Sequence, residues 1–546
     1  MQLYKQFCTE EFDNDNTLKS FKLKFEDNYN FGYDVLDQMA EKAPNDIALV
    51  WTNPEGEERI FTFADLSRLS NKAANVFLKY GIKKGDRVLL MLKRNYEYWY
   101  IVTALHKLGV VAIPATNMLT AEDISYRVNV ANIKMAVCTP DSDTVENILQ
   151  AKNKENSLKT VFVARKDFDG TVNITKEIES ASAELERVET KATEPMLIYF
   201  TSGTTGYPKA VVHNHIYSLC HIISAKYWQN VKEGGLHFSI AETGWAKASY
   251  GKIYGQWLCG CAVMAFDFEK FSPSKILKVI EKFKVTSFCA PPTAYRYFVK
   301  KGMQMYDLSS LEYLTTAGEA LNPIVAEAVY QQTGLHPMEG YGQSETTLLI
   351  ANLNGTYGKT GSIGKPSPMY DIRLVDSDGN EVKQGETGEI VVIPPKDRKQ
   401  YGIFTNYIGD EQMYQYAWRK GMYHTNDTAY MDEDGYYWYV GRADDLIKTR
   451  GYRVGPFEIE NVLMKHPAVL ECAVIGVPDE SRGQAIKAII KTVDGCDTDK
   501  NLVNDIKAFS NKRLASYKWI QYIEFTDEMP KTISGKIKRV ALKANA

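Results

Sequence analysis

The chain lacks several things, and each absence removes a class of function. It has no excess of positive charge: 65 lysines and arginines stand against 68 aspartates and glutamates, a net charge of −3, mixed along the sequence. A nucleic-acid backbone calls for a broad basic face, so nucleic acid is not an expected partner. No run approaches the roughly 18 consecutive apolar residues of a membrane span. The opening MQLYKQFCTEEFDNDN is polar and acidic, without the charged-then-apolar layout of a secretion signal. No transmembrane segment is expected, and the reading is a cytoplasmic protein. Cysteine pairing is missing too: eight cysteines show no C-x-x-C spacing, and Cys259 and Cys261 fall in "WLCGCAVMAF", which reads as a buried strand. Free core thiols are expected. His213, His215 and His221 have no acidic or thiol companions and lie on what reads as a helix after a glycine loop, so no metal site is expected there. Internal repeats and low-complexity tracts are absent.

What is present is a long, ordinary globular composition. With 546 residues, 44% hydrophobic and 24% charged, the chain can bury a large core and should form at least two domains. From residue 33 to about 290, helical periodicities alternate with short β-rich runs. In "ADLSRLSNKAANVFLKYG" the apolar residues recur at three and four, and Gly81 is placed to end the helix. "DRVLLML" reads as a strand, "EYWYIVTALHKLG" as a helix and "VVAIPA" as a strand, which predicts βαβ units and helix-covered sheets. The same grammar returns in "KILKVIEKFKVTSFCAPP" and "VAEAVYQQTG". After about residue 360 it changes: "YDIRLVDSDGNEVKQGETGEIVVI" alternates around Asp378-Gly379 as hairpins do. The last 100 residues or so carry helix and strand patterns sufficient for a compact α+β domain.

One stretch looks built for an anion. In "YFTSGTTGYPKAVVH", Gly203 and Gly206 allow close backbone approach, Thr201, Ser202, Thr204 and Thr205 offer hydroxyls, and Lys209 a charge. The spacing is not that of a Walker loop, whose lysine directly follows its second glycine. From composition alone, a phosphate cradle and a Ser/Thr-rich surface turn both remain open. "TTAGEALN" (315–322) and "EGYGQSETT" (339–347) each put glycines and small polar residues after an apolar β-like run, where open α/β sheets bind ligands. Glu345, between hydroxyls, suits a hard cation such as Mg²⁺. Asp427 and, fifteen residues on, Arg442 could serve the hydroxyls and charge of a nucleotide, or be a surface pair. "PKTISGKIKR" sets Lys536 after a Ser-Gly turn and in isolation reads as a basic tail.

In this order and spacing, "YFTSGTTGYPK", "GYGQSET", "GRADDLIKTRGYR" and "PKTISGK" resemble the adenylate-forming superfamily of acyl-CoA synthetases, peptide-synthetase adenylation domains and luciferases. The resemblance runs over nearly the whole chain. "AETGWAKASYGKIYGQW" and "GYRVGPFEIENVLMKHPAV" give it the look of medium-chain acyl-CoA synthetases. It implies an α/β fold with a large N-terminal domain at 1–443, a hinge at Asp444 and a small mobile C-terminal domain at 444–546. The loop from Thr201 to Lys209 would hold the ATP β and γ phosphates. The purine would rest between Gly318-Glu319-Ala320 and Glu339-Gly340-Tyr341, with Gly342, Gln343 and Ser344 completing the nucleotide wall. Asp427 and Arg442 would take the ribose, Glu345 the Mg²⁺, and Lys536 would reach the site in one domain orientation. Trp245, Ala246, Lys247 and Gly342 would line the acyl pocket, although Trp245 as plain core is an equal reading. Arg450, Gly451, Tyr452, Arg453 and Arg482 would serve coenzyme A.

The implied reaction joins a small-molecule carboxylic acid to CoA through an acyl-adenylate, with release of AMP and pyrophosphate. Adenylation turns a poor carboxylate leaving group into a good one. Two anions must meet in that step, so Mg²⁺, Lys209 and Lys536 would supply charge and orientation. The chain departs from the family pattern at Thr425-Asn426-Asp427, where T-G-D is usual, and at Arg450, where a small residue is usual. Asn tolerates positive φ, so the first turn can survive. Gly342 stands where acetate-specific relatives put tryptophan, and Ala246 where they put valine, which predicts medium-chain, branched or aryl acids. The alternatives are a stand-alone enzyme loading a carrier protein, which "SIAETGWAKAS" disfavours by lacking an F-D-x-S aspartate, and a non-catalytic nucleotide-binding regulator, which Glu345 and Lys536 disfavour. The sequence leaves a homo-oligomer open.

Overall fold

A computed structural model describes residues 1–201, 208–319, 321–356, 358–396, 400–450, 452–531 and 537–544. The chain packs as two units. The first comprises Met1–Thr201, Pro208–Asp371 and Pro394–Tyr416; the second comprises Ile372–Ile393 and Ala417–Ala546. Division by packing therefore groups the small hairpin sheet with the C-terminal residues, whereas the boundary expected at 444 is one of motion.

The first unit contains two large sheets. In the eight-stranded one, Pro195–Thr201 runs parallel to Val111–Pro114 and antiparallel to Lys209–Asn214, which pairs antiparallel with Asn406–Ile408 at the edge. In the nine-stranded one, Leu236–Ser239, Ser287–Cys289, Tyr313–Ala317 and Pro337–Tyr341 follow one another in parallel. The alternation seen in the sequence is the cause: Arg87–Met91, Glu97–Lys107 and Val111–Pro114 form a strand, a wholly buried helix and the parallel neighbour strand. Phe63–Lys79 is the expected amphipathic helix, started by a capping box between Thr62 and Asp65 and followed by Gly81 at φ +85°.

Two local expectations fail. "WLCGCAVMAF" is not one strand: Tyr254–Leu258 is helical and the strand begins at Ala262. Gly260 lies between them at φ +69°, in a reversal where a β-carbon would run into the Met1 backbone. The histidines after the glycine loop do not share a helix either. His213 is on the strand Lys209–Asn214, and the helix runs Ile216–Ile222. His213 stacks on Tyr217 at 3.9 Å between ring centroids, and Tyr217 meets His221 edge-on at 4.6 Å. These imidazoles are buried, and burial lowers the pKa of His213 and His215 to about 4. All eight cysteines are free thiols.

The second unit holds a four-stranded antiparallel sheet that includes Gly388–Ile393, Tyr423–Met431 and Tyr437–Arg442. It also holds a five-stranded sheet in which the long strands Val469–Asp479 and Gly483–Thr492 pair, flanked by the helices Pro456–Leu463 and Lys500–Asn511. Among the described residues no helix is long and apolar enough to cross a membrane.

Candidate active site

Lys209 opens the strand Lys209–Asn214, whose Val211 pairs with Tyr407 on the edge strand. The Lys209 ammonium lies 5.5 Å from the centre of the Tyr407 ring. The Tyr407 hydroxyl donates to Glu345 Oε1 at 2.8 Å, so two residues from distant motifs converge on one buried tyrosine. The segment around Glu345 is fixed from several sides. The Phe404 N–H donates to the Glu345 carbonyl at 2.7 Å, and Tyr250 hydroxyl donates to the Thr346 carbonyl at 2.7 Å. The His213 imidazole donates through Nε2 to the Ser344 carbonyl at 2.7 Å, a direction fixed because a carbonyl can only accept. Thr346 Oγ1 receives the Gln343 N–H at 2.9 Å. Tyr407 and Tyr250 were missed by the sequence reading, since a lone tyrosine in "FTNYIGD" or "KASYGK" has no distinguishing spacing.

The two glycine-bearing turns lie at the ends of adjacent parallel strands, with Ala317 opposite Gly340. Glu339 is buried, and its Oε1 accepts the Leu321 N–H at 2.9 Å, tying one turn to the other. Burial pushes its pKa up to about 8, so it is mostly a neutral acid at pH 7. Glu319 accepts from the Thr293 hydroxyl at 2.8 Å. The Lys247 side chain takes the place a β-carbon on Gly318 would fill, which brings an acyl-pocket candidate to the turn expected to face the purine. Trp245 is half-buried, Ala246 buried and Lys247 exposed. A β-carbon on Gly340 would lie 2.5 Å from the Trp228 indole. One on Gly342 would lie 2.7 Å from both the Thr347 carbonyl oxygen and the Tyr250 hydroxyl. Gly342 is thus required by close backbone packing, and a tryptophan there could not simply swing into an acyl pocket. Tyr341, Gln343 and Ser344 are half-buried in the same segment.

In the second unit Asp427 and Arg442 are direct partners across a hairpin. Asp427 is buried and accepts from the Tyr439 hydroxyl at 3.0 Å, with Arg442 Nη1 3.9 Å away. Arg442 Nε also donates to Asp444 at 3.2 Å. Asn426 takes φ +55°, so it occupies the left-handed turn that a glycine would otherwise fill. Arg450 does the same at φ +50°, and its N–H donates to the Arg482 carbonyl at 2.9 Å, which joins two CoA candidates. Tyr452 is exposed and stacks on Tyr517 at 4.3 Å. Ser202, Gly203, Thr204, Thr205, Gly206, Ala320, Gly451 and Lys536 lie outside the described residues, as does the Arg453 side chain.

Among the described residues no group of three or more His, Cys, Asp or Glu side chains could hold a metal ion. A single carboxylate with one oxygen anchored, as at Glu345, is the donor set of a Mg²⁺ that is held mainly by substrate phosphates. The residues fit that ion and do not fit a metal bound by protein alone.

Residues 36–401 match the family model for AMP-binding enzyme, and residues 458–536 the one for AMP-binding enzyme C-terminal domain. The chain is 38% identical over 550 residues to acyl-coenzyme A synthetase ACSM3, mitochondrial, of Homo sapiens, with 98% of this chain and 92% of that protein covered. It is likewise 38% identical over 519 residues to 4-hydroxybutyrate–CoA ligase 1 of Metallosphaera sedula, with 94% and 90% covered. Among solved structures, the anthranilate CoA ligase AuaEII in complex with anthranoyl-AMP matches with a TM-score of 0.87 at 28% identity, over 95% of this chain and 98% of that one.

Proposed function

Because the chain belongs to the AMP-binding enzyme family, we propose that it is an ATP-dependent acyl-CoA synthetase that releases AMP and pyrophosphate. Likeness to acyl-CoA synthetases over 98% of the chain carries this reading, and the anchored Glu345 and paired Asp427 and Arg442 agree with it. ATP, a carboxylic acid and CoA are the substrates, and Mg²⁺ is the ion. When bound, Mg²⁺ supplies charge neutralisation at the phosphates.

The chain's own residues then have assignable work. Glu345 holds the ion's place, and Tyr407 keeps its carboxylate from rotating away. Lys209 offers a fixed positive charge beside the same ring. Asp427, an acceptor oriented by Tyr439, and Arg442 bind the ribose. Lys536 neutralises the meeting of carboxylate and α-phosphate, and rotation about Asp444 replaces it with the 450–453 segment for attack by the CoA thiol. Such a division into two orientations fits a boundary of motion at 444, with 1–443 and 444–546 as its parts.

The acid is read as medium-chain, branched or aryl. Ala246 carries that reading alone, since Gly342 is explained by packing. The relatives from animals are named mitochondrial, so a cytoplasmic location stays part of the proposal and cell fractionation tests it. Pyrophosphate and AMP release across C2 to C12 and aryl acids, with and without CoA, tests the function. AMP release that depends on CoA is the expected result. Adenylation without transfer to CoA would favour a carrier-loading enzyme.

A further inference from the structure

The strand Gly388–Ile393 pairs with Tyr423–Met431 through an irregular ladder. Glu389 is opposite Thr428, yet Val391, two residues on, is opposite His424. Ile390 therefore faces Thr425, Asn426 and Asp427 together, and these three residues are extruded from the sheet with Asn426 at φ +55°. An extruded segment must satisfy its backbone groups by other means. Thr425 Oγ1 donates to the Ile390 carbonyl at 2.7 Å and accepts the Asp427 N–H at 3.1 Å. The Thr425 carbonyl accepts from Arg442 Nη1 at 3.4 Å, and the Asn426 carbonyl accepts the Ala443 N–H at 2.9 Å. The Asn426 N–H goes to a side chain: it donates to Glu389 Oε1 at 3.0 Å.

Glu389 is held in its turn. Arg419 Nη2 donates to both carboxylate oxygens, at 3.1 Å and 3.0 Å, and His424 Nδ1 lies 3.0 Å from Oε2. The side chain is 14% exposed. Burial alone would raise its pKa, but the His424 hydrogen bond, the Arg419 charge and the Asn426 N–H outweigh burial and hold it below the usual carboxylate value. Glu389 is thus an ionised acceptor at neutral pH, and His424 Nδ1 is the donor. Three donors from separate parts of the chain meet on one carboxylate to which the proposed reaction gives no part.

Asp427 follows Asn426 directly. With the Asn426 N–H, the Asn426 carbonyl and the Asp427 N–H all bonded, the peptides on both sides of Asn426 are fixed, and so is the backbone from which the Asp427 carboxylate extends. A left-handed asparagine whose N–H loses its acceptor can relieve both costs by turning the Thr425–Asn426 peptide over, which displaces Asp427 from Tyr439 and Arg442. We propose that Glu389 is a positioning residue for nucleotide selection: through the Asn426 N–H it sets where Asp427 meets the ribose, and so how strongly the enzyme prefers a ribose with both hydroxyls. This rests on the reading of Asp427 and Arg442 as the ribose-binding pair.

Pyrophosphate release from ATP, 2′-deoxy-ATP and 3′-deoxy-ATP, with an acid that the wild type adenylates, tests it. Wild-type kcat/KM should be at least about tenfold higher for ATP than for the poorer analogue, the cost of losing a charge-assisted hydrogen bond. Glu389→Asp keeps the charge for Arg419 and His424 but is one methylene short of Asn426, and it should lower that ratio about fivefold or more. Glu389→Gln keeps the reach: its amide oxygen accepts the Asn426 N–H, and His424 in its other tautomer accepts the amide N–H. It should keep the ratio within about twofold of wild type. A carboxylate that only stabilised the sheet would lower the unfolding midpoint and the rates with all three nucleotides together, and would leave the ratio unmoved. An unchanged ratio in folded Glu389→Asp overturns the proposal. Loss of the ratio in Glu389→Gln overturns it too, whether or not the aspartate variant folds. A wild type that uses all three nucleotides equally would instead overturn the ribose assignment, and this inference with it.

Discussion

Glu345 and Asp444, two acidic residues on which the reading depends, have opposite surroundings. The Glu345 segment is held by hydrogen bonds from Tyr407, Tyr250, His213 and the Phe404 backbone, several of them from buried groups. Asp444 is half exposed, and long flexible cations surround it. Arg442 bonds its carboxylate, while Lys543 reaches its carbonyl at 3.4 Å and bonds Asp445 at 2.8 Å. Arg539, on the same C-terminal helix as Lys543, pairs with Glu460 and stands 4.0 Å from Asp445. Tyrosine hydroxyls aimed at backbone carbonyls are nearly rotor-free once buried, so they fix a geometry. Ion pairs of half-exposed lysine and arginine contribute about 0–1 kcal/mol each and exchange easily with water. The first arrangement suits a charge that must stay put, the second a link that must change.

The largest test of this contrast is Lys536→Ala. Adenylation should fall by about 10² to 10³, the usual cost of one preorganised electrostatic donor, while thioester formation from preformed acyl-adenylate is retained. Equal losses in both half-reactions would mean that the two steps share one arrangement. Asp444→Pro comes next. With φ fixed near −65°, rotation is hindered, so thioester formation should drop at least about tenfold while pyrophosphate release in a single turnover persists. Normal rates in both steps would put the hinge elsewhere.

Tyr407→Phe removes one charge-assisted hydrogen bond to Glu345. Such bonds are worth about 1.5–3 kcal/mol, so the loss corresponds to about tenfold or more. It should appear as a higher Mg²⁺ requirement for adenylation and as weaker Mn²⁺·ATP binding by calorimetry, with thioester formation spared. An unchanged metal dependence would reduce Tyr407 to a packing role. Asn426→Ala has the smallest expected effect. A left-handed alanine costs about 1 kcal/mol, readable as a lower unfolding midpoint, whereas Asn426→Gly should be close to neutral. An alanine variant as stable as the wild type would show that this turn relaxes.

Much of this was legible in the sequence because period and punctuation agreed. Phe63–Lys79 carries an apolar stripe and a terminal glycine, and the two predict the same helix. Asp427 and Arg442 were recognisable as a pair, although their direct registration across a hairpin required the strands to be seen. Short apolar runs were read less well. "KAVVHN" gives too few residues to separate a strand from a helix start, so His213 was placed on the wrong element. In "WLCGCAVMAF" uniform hydrophobicity hid a reversal that only the left-handed Gly260 creates. The hardest features were those made by tertiary contact. Gly342 resembles an opening in a pocket until the Thr347 carbonyl is found against it.

The buried imidazoles have a thermodynamic consequence of their own. His106, His213, His215, His221 and His237 are all buried, and burial depresses the pKa of each, to about 4 for His213 and His215 and about 3 for His237, so these last three are neutral in the folded protein near pH 5.5. In the unfolded chain each titrates near 6.5. The folded state therefore binds fewer protons, and the stability these residues contribute is intact above about pH 6.5 and lost as pH falls toward 4. Unfolding at pH 5.5 must draw protons from the buffer. The apparent calorimetric enthalpy should accordingly differ between acetate and histidine buffers of equal pH by the difference in their ionisation heats, multiplied by the net protons taken up: the uptake by the imidazoles the fold keeps dry, less the proton that buried Glu339 gives back.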